Sequence, residues 1–404
     1  MHEVLIAGAG IGGLTLALNL HRAGIRCRVF EAASDIQPIG VGINVLPHAM
    51  KELTSLGLLD TLSSVGIRTA ESLFYNRFGQ LIYREPAGMN AGYDWPQISI
   101  HRGDLQMVLL RAVRERLGDG SVLTGHHCTG VEQNDDGVVM RFADRPPVSG
   151  SVAVACDGIH SAIRKQFYPA EGAPVYSGYN MWRGVTVWPA FLTGASMVRA
   201  GWLATGKMVI YPIRTLPDGK RLVNWVAEIE SPVHLDRDWN RAGRLEDCLP
   251  AFADWHFDWL DVPAMMRAAE TVLEFPMVDQ DPLPRWSFGR VTLLGDAAHP
   301  MVPRGANGAG QAILDTRALT DCLRDIAEPE AALRRYEALR LPPTTDVVLT
   351  NRRNPPDAIL REVYERTGDK PFQSIDDVIP AETLRAMSDR YKAVAGYSRE
   401  ALAR

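Results

Sequence analysis

Cysteine is scarce in this chain, which has five among its 404 residues. No two of them stand at Cys-x-x-Cys spacing, and an odd number cannot pair completely. A disulfide framework is therefore excluded as the basis of the fold. We expect a reducing, cytoplasmic environment instead. The five are Cys27, Cys128, Cys156, Cys248 and Cys322.

Long apolar runs and an excess of one charge are also missing. No uninterrupted apolar stretch approaches the roughly 20 residues of a membrane span, so we expect no membrane partner. The apolar N-terminal stretch lacks the basic residues that open a signal peptide. The 43 basic and 48 acidic residues nearly balance, giving a net charge of −5, which offers no reason to expect nucleic acid as a partner.

Signatures of metal and nucleoside triphosphate binding are incomplete. His299 has no second histidine, cysteine or acid at ligand spacing, so no metal site is expected. The stretch Gly201–Lys207 has the spacing of a phosphate-binding P-loop. However, Met208 stands where the loop needs a magnesium-binding Ser or Thr, and a strand-like stretch follows, so we reject that interpretation.

A glycine-rich turn is present at the N-terminus. Val4–Ala7 reads as a strand and Ile11–Ala23 as a helix, and between them lies the pattern G-x-G-x-x-G at residues 8–13. Such a turn lets backbone N–H groups approach a pyrophosphate, and Glu31 at the end of the next strand can bind ribose hydroxyls. The glycines taken alone are also compatible with a tight turn that binds nothing.

Two further strand-to-helix corners carry acidic residues. Val152–Ala155 leads into Asp157-Gly158, where Ser161 can cap the next helix, and ordinary capping is the alternative to a ligand. Val291–Leu294 leads into Gly295-Asp296 and a glycine-rich helix start, which suits a polyol-phosphate ligand. Arg102 opens a helix and can pair with a phosphate, or it is simply a surface arginine.

These corners are separated by a different kind of sequence. From about residue 176 to 275, aromatic and β-branched residues alternate in short runs, and most of the nine tryptophans lie there. We predict an α/β protein: a Rossmann-like domain hosting an inserted, mostly antiparallel β-sheet domain, followed by a helical C-terminal tail. We also predict helices near Leu245–Trp255, Gly308–Ala327, 328–341 and Ala381–Ala395.

Taken together, the three glycine-acid motifs resemble those of the single-component, FAD-dependent aromatic hydroxylases, the class of p-hydroxybenzoate and salicylate hydroxylases. Several runs, among them GVGINVLPHA, MWRGVT and GANGAGQAILD, resemble its phenazine-hydroxylating members. The resemblance implies an FAD-binding domain formed by residues 1–70, 98–175 and 276–350. It also implies a substrate domain of residues 71–97 and 176–275, and a C-terminal helical segment of residues 351–404.

The resemblance implies one non-covalent FAD, with NADH or NADPH as a transient electron donor because only one G-x-G-x-x-G is present. The aromatic or heteroaromatic substrate would be hydroxylated with O2 through a flavin C4a-hydroperoxide. A phenazine-like carboxylic acid and oxidative decarboxylation remain open, as does a monomer or a homodimer. The alternative is a flavoprotein dehydrogenase or epoxidase without aromatic hydroxylation.

The resemblance also assigns roles to residues. Pro303 and Tyr211 are expected nearest the reaction. The substrate wall is expected to comprise Trp182, Arg183, Lys207, Tyr211 and Trp225, and Arg183 and Lys207 could pair with a substrate carboxylate. The alternatives are core packing for the tryptophans and a structural or surface role for the two cations. The implied cofactor-binding residues are Gly8, Gly10, Ile11, Gly12, Gly13, Glu31, Val41, Arg102, Val131, Asp157, Gly295, Asp296, Pro303, Gly305, Asn307 and Gly308.

Overall fold

Five sheets and twelve α-helices make up the fold in the computed structural model, which describes residues 3–232, 242–353 and 355–403. The strands are β1 (Glu3–Ala7), β2 (Arg26–Phe30), β3 (Gly42–Val45), β4 (Ile67–Arg68), β5 (Glu71–Tyr75), β6 (Leu81–Pro86), β7 (Ile98–His101), β8 (Val122–Leu123), β9 (Cys128–Asn134), β10 (Gly137–Phe142), β11 (Val148–Gly150), β12 (Val152–Ala155), β13 (Val175–Trp188), β14 (Ser196–Trp202), β15 (Gly206–Thr215), β16 (Arg221–Glu230), β17 (His256–Phe257), β18 (Leu260–Asp261), β19 (Val272–Asp279), β20 (Ser287–Phe288) and β21 (Val291–Leu293). The helices are α1 (Ile11–Arg22), α2 (Pro47–Ser55), α3 (Leu59–Val65), α4 (Arg102–Leu117), α5 (Ala162–Phe167), α6 (Leu245–Cys248), α7 (Val262–Arg267), α8 (Gly308–Asp325), α9 (Pro329–Arg353), α10 (Ala358–Thr367), α11 (Ala381–Ala395) and α12 (Arg399–Leu402).

The first large sheet places the three motif corners at one edge. Its order is β20-β21-β12-β1-β2-β8, and every pairing from β21 to β8 is parallel. The four residues of β12 and the last four of β1 are fully buried, as expected for central parallel strands covered on both faces. Because β1, β12 and β21 run in the same direction, the turns that follow them converge at the carboxyl edge.

The second large sheet has the order β19-β13-β16-β15-β14-β5-β6. All of its pairings are antiparallel except β14 with β5. The predicted fold class, a Rossmann-like α/β unit combined with a mostly antiparallel sheet and C-terminal helices, is therefore confirmed.

Side chains alternate between the two faces of this second sheet, and this alternation corrects two predictions. Trp182 and Trp225 both belong to the hydrophobic core on the face turned away from the parallel sheet, where they pack with Phe252, Trp255 and Met266. Trp225 Nε1 donates to Thr186 Oγ1 at 3.1 Å. Neither tryptophan forms part of a substrate wall, because the neighbouring positions of each strand face the cavity described below.

Two helix predictions also need correction. The helix predicted near Leu245–Trp255 is a single α-turn, α6, followed by a 3₁₀ turn at Leu249–Phe252 that contains Pro250. Helix α9 does not end near Leu341 but continues through Pro342 and Pro343 to Arg353. Buried Val347 and Val348 anchor its second half, so tertiary packing outweighs the two lost N–H donors. Helix α10 was not predicted.

Among the described residues, no helix is both long and apolar enough to cross a membrane.

The corrected position of Trp225 generates a stability prediction. We expect Trp225→Ala to lower the free energy of unfolding by about 3–5 kcal/mol, because it removes a fully buried indole from the core. Urea denaturation at fixed ligand concentration measures this change. Val187→Ala, at an exposed position of β13, is the control and should stay within about 0.5 kcal/mol of the parent. Equal stability of the two variants would contradict the core assignment.

Candidate active site

The turn after β1 is built so that only glycine fits. Gly8 has φ +98°, and a Cβ there would lie 2.4 Å from the carbonyl oxygen of Cys156. A Cβ on Gly13 would lie 2.0 Å from the Gly8 oxygen, so Gly13 allows α1 to pack against the turn. A Cβ on Gly10 would meet nothing within 4 Å. Gly8 and Gly13 thus allow close packing, whereas Gly10 faces open space that a ligand can occupy.

Glu31 is fixed beside this turn. One carboxylate oxygen accepts the Ala9 N–H at 2.8 Å, and the other accepts the Ala33 N–H at 2.9 Å. These two bonds orient the carboxylate at the mouth of the glycine turn, where its remaining lone pairs can accept hydroxyl donors.

A cavity of about 440 Å³ lies in front of β1 and β2. Its walls include Gly8, Gly10, Glu31, Arg102 and Asp157. One Asp157 oxygen accepts the Ala162 N–H at 3.0 Å, and the other is buried with no hydrogen-bond partner in the described part of the chain. Burial raises the pKa of the Asp157 carboxyl, and the nearby Ser161 hydroxyl opposes that rise. Ser161 also caps α5, as predicted.

A second cavity, of about 310 Å³, lies between the β21 corner and the antiparallel sheet. Asp296 is exposed to it, and Gly295 has φ +61°. The glycine-rich wall of this cavity comprises Gly10, Ile11, Gly12, Gly42, Ile43, Asn44, Gly295, Asp296, Pro303, Gly305, Asn307 and Gly308.

The two cavities meet around the first glycine turn. Gly10, Arg102, Cys156 and Gly158 line both of them. The space therefore forms one extended groove that runs from Glu31, past the Asp157-Gly158 corner, to Asp296 and the 303–308 loop. An extended dinucleotide fits such a groove, since each end would meet a carboxylate and a glycine turn would accommodate its phosphates.

The opposite wall of the second cavity is the inward face of the antiparallel sheet. Alternate residues of four neighbouring strands reach it: Met181 and Arg183 of β13, Val226 and Glu228 of β16, Lys207, Val209 and Tyr211 of β15, and Met197 and Arg199 of β14. The predicted site residues Arg183, Lys207 and Tyr211 are thus brought together on this wall.

Lys207 is buried and already paired on this wall. Its ammonium lies 2.9 and 3.0 Å from the two Glu228 oxygens and 2.5 Å from an Asp357 oxygen. Arg199 contacts the other Asp357 oxygen at 3.2 Å. Lys207 is therefore held by protein carboxylates, which weakens its predicted role as the partner of a substrate carboxylate.

Arg183 is different because no carboxylate lies within ion-pair distance of it among the described residues. Its guanidinium donates to the Gly42 carbonyl at 2.6 Å, and its Nε has no hydrogen-bond partner there. Burial lowers the pKa of this guanidinium. The Tyr211 hydroxyl donates to the same carbonyl at 2.8 Å, and burial raises the pKa of Tyr211.

Two predicted cofactor residues lie just outside the groove. Val41 is buried, and its carbonyl accepts the Arg102 N–H at 2.9 Å. Both the N–H and the C=O of Val131 are bonded to the Gln166 side chain, at 2.9 and 2.7 Å. Cys128, three residues earlier on β9, lines the first cavity instead. The cofactor role of Val131 stays a prediction.

Sequence reasoning missed Arg199, Glu228, Arg304 and Asp357. The β15–β16 hairpin signals that Lys207 and Glu228 lie near each other. Counting outward from the turn at 217–219 would nevertheless have placed Lys207 opposite Ile229, because the pairing shifts by one residue between Pro212 and Arg214. Asp357 gave no such signal, because it lies 150 residues from Lys207 and reaches it only through tertiary packing.

Comparison with known proteins agrees with the groove. Residues 1–350 match the protein family described as FAD binding domain.

The chain belongs to this FAD-binding family.

Named relatives place the family in flavin-dependent oxygenation. The chain is 45% identical over 362 residues to phenazine 1,6-dicarboxylic acid hydroxylase PhzS of Lysobacter antibioticus, covering 87% of this chain and 89% of the relative. It is 34% identical to 3-amino-4-hydroxybenzoate 2-monooxygenase of Streptomyces cremeus, covering 85% and 84%. The crystal structure of Klebsiella pneumoniae HpxO with FAD and uric acid superimposes with a TM-score of 0.80 at 26% identity, covering 96% of each chain.

The residues present fit FAD. The open face at Gly10, the buried Asp157 oxygen without a partner, and two carboxylates at the ends of one groove supply the contacts that a flavin dinucleotide needs. No cluster of metal-binding side chains occurs among residues 3–232, 242–353 and 355–403. The family match and the named relatives show that the protein is an FAD-dependent monooxygenase.

A test of the groove is Asp296→Ala. We expect the dissociation constant for FAD to rise about 10- to 100-fold, because the variant loses one charge-assisted hydrogen bond to a hydroxyl. Fluorescence titration of apoprotein with FAD measures it. Asp325→Ala, at an exposed end of α8, is the matched control and should bind FAD like the parent. Unchanged affinity in Asp296→Ala would contradict the proposed contact.

His48 generates a prediction about pH. It lies beneath the start of α8, near Gly310, and burial lowers its pKa to about 3. Below about pH 6.5, His48 is protonated in the unfolded chain but stays neutral in the folded protein. The free energy of unfolding therefore falls as the pH drops from 6.5 towards 3, by up to about 1.4 kcal/mol per pH unit.

We expect His48→Gln to reduce this slope, measured as the free energy of unfolding between pH 6.5 and 4.5. His21→Gln, at an exposed position, controls for the loss of an imidazole. Identical slopes in the parent and His48→Gln would show that His48 is protonated in the folded state.

Proposed function

We propose that this enzyme hydroxylates an aromatic or heteroaromatic carboxylic acid of phenazine size, with NADH or NADPH as reductant and O2 as oxidant. The observation that carries the proposal is Arg183. It is a partly buried cation without a carboxylate partner in the described chain, its Nε is buried without a hydrogen-bond partner there, and it faces the same cavity as the 303–308 loop. An aromatic acid would supply the missing anion.

When bound, FAD takes two electrons from the nicotinamide and delivers one atom of O2 to the substrate ring, while the other atom leaves as water. In this proposal, Asp296 and the glycines at 305 and 308 hold the flavin. Backbone N–H groups of that loop would stabilise negative charge on the reduced ring. Glu31 would hold the ribose at the far end of the groove.

The remaining wall residues would position the substrate and exclude water. Met181, Val209 and Val226 give the sheet wall an apolar surface on which an aromatic ring can lie. Pro303 would border the reacting ring carbon. Tyr211, whose hydroxyl donates to the Gly42 carbonyl, would fix the start of β3. Exclusion of water favours oxygen transfer over release of hydrogen peroxide.

The surroundings of the enzyme are also part of the proposal. All five cysteines are free, which supports a reducing compartment such as the cytoplasm. The division into an FAD-binding domain, a substrate domain and a C-terminal segment is supported by the two large sheets. Residues 233–241 of the proposed substrate domain lie outside the described residues.

The function is tested by screening aromatic acids for acceleration of NADH or NADPH oxidation by the yellow holoenzyme. We expect a phenazine carboxylic acid to accelerate it, with a product heavier by one oxygen atom or hydroxylated with loss of CO2. Arg183→Met should raise KM for such an acid by about tenfold or more, because the variant loses one charge-assisted hydrogen bond to the carboxylate.

Arg334→Met removes an exposed arginine and is the matched control. Turnover that needs no O2 would instead support a dehydrogenase, and oxygenation of an alkene without any aromatic hydroxylation would support an epoxidase.

A further inference from the structure

Arg304 lies on the loop between Pro303 and Gly305 and is almost completely buried, with 5% of its surface exposed. It lines the same cavity as Arg183. Two of its guanidinium nitrogens, Nε and one Nη, are buried without a hydrogen-bond partner among the described residues. The proposed function gives it no task.

The contacts that Arg304 makes do not include a carboxylate that is free to neutralise its charge. Its guanidinium carbon lies 4.2 Å from the centre of the Tyr179 ring. The nearest carboxylate is Glu228, at 3.8 Å, but both oxygens of Glu228 are already hydrogen-bonded to Lys207. A buried guanidinium in this state is costly in free energy until an anion reaches it.

The positive charges that line the second cavity also outnumber the negative charges. Five cations line it, Arg102, Arg183, Arg199, Lys207 and Arg304, and three anions, Glu228, Asp296 and Asp357, which leaves an excess of two positive charges. Arg102 and Asp296 offset each other in this count. Arg199 and Lys207 are the pair matched by the two carboxylates. The excess therefore resides on Arg183 and Arg304.

These two cations lie towards opposite ends of the cavity wall. Arg304 stacks on Tyr179, and Arg183 reaches in the other direction, to Gly42, whose N–H is bonded to Asn224 at 2.7 Å. Asn224 pairs in register with Val185, six residues along β13 from Tyr179. Glu228, which Arg304 approaches to 3.8 Å, lies four residues from Asn224 on β16, so at about 3.3 Å per residue the two positions are about 13 Å apart at the backbone.

We propose that Arg304 binds a second anionic group of the substrate, so that the enzyme prefers a fused aromatic ring with one carboxylate near each end over the corresponding monocarboxylate. This inference rests on the proposed function. Arg304 acts as a specificity-determining residue, since an uncharged ring edge would leave its guanidinium nitrogens unpaired.

The test compares phenazine-1,6-dicarboxylate with phenazine-1-carboxylate as probes for the FAD-loaded enzyme. Dissociation constants are measured by calorimetry without nicotinamide, and kcat/KM is measured from product formation. We expect the parent to favour the dicarboxylate at least tenfold. In Arg304→Gln that ratio should fall about tenfold or more, and Arg304→Lys should recover part of it.

Arg334→Gln, on the exposed face of α9, is the matched control and should keep the ratio of the parent. Retention of the visible flavin spectrum in Arg304→Gln shows that the 303–308 loop still holds FAD. The role of Arg304 would be overturned, but not the proposed function, if the parent bound and oxygenated both acids equally well. The same conclusion would follow if Arg304→Gln weakened binding of both acids by the same factor. Failure of the parent to bind or oxygenate either acid would overturn the proposed function as well.

Discussion

The buried ammonium of Lys207 is the interaction on which the arrangement of the site depends. Glu228 and Asp357 together enclose it, and Asp357 also contacts Arg199. Loss of either acid would leave a charge buried without its partner, which is far costlier than loss of an exposed ion pair. Because Asp357 begins α10, this pairing joins the antiparallel sheet to the C-terminal segment. The segment beyond residue 350, outside the family match, is thus part of the cavity.

A second set of contacts joins the same segment to the flavin-side loop. The Tyr391 hydroxyl accepts from Asn307 at 2.9 Å and donates to Asn351 at 2.8 Å. A Cβ on Gly305 would lie 1.8 Å from that hydroxyl, so the glycine permits α11 to press against the loop. Burial raises the pKa of Tyr391, which keeps the hydroxyl a donor. The C-terminal helices therefore fix both walls of one cavity, and the loop between them is not free to shift independently.

The parts of the site that were predictable from the sequence are those specified locally. Gly8, Gly13 and Glu31 belong to one β-turn-α unit, whose strand and helix periods lie within about 30 residues. The two tryptophans show the limit of that reasoning. Alternation indicated that β13 and β16 have two different faces, but which face meets the cavity depends on how the sheet packs, and Trp182 and Trp225 point to the other side. The roles of Asp357 and Tyr391 could not be predicted, because no local sequence pattern encodes contacts between the C-terminal segment and the rest of the cavity.

The two walls of the cavity therefore have separate physical tasks. The glycine-rich wall offers backbone groups and the carboxylate of Asp296, which suit a cofactor that is the same throughout a family. The sheet wall offers fixed ion pairs and Arg183, and Arg304 of the 303–308 loop faces the same cavity; each arginine has at least one guanidinium nitrogen without a hydrogen-bond partner among the described residues. An uncharged ring can satisfy the apolar side chains of that wall but leaves both guanidinium groups desolvated and unpaired, whereas an anion relieves that cost at the moment of binding. If the proposed function holds, discrimination among aromatic substrates follows from the number and position of their charges, more than from the area of ring that they bury.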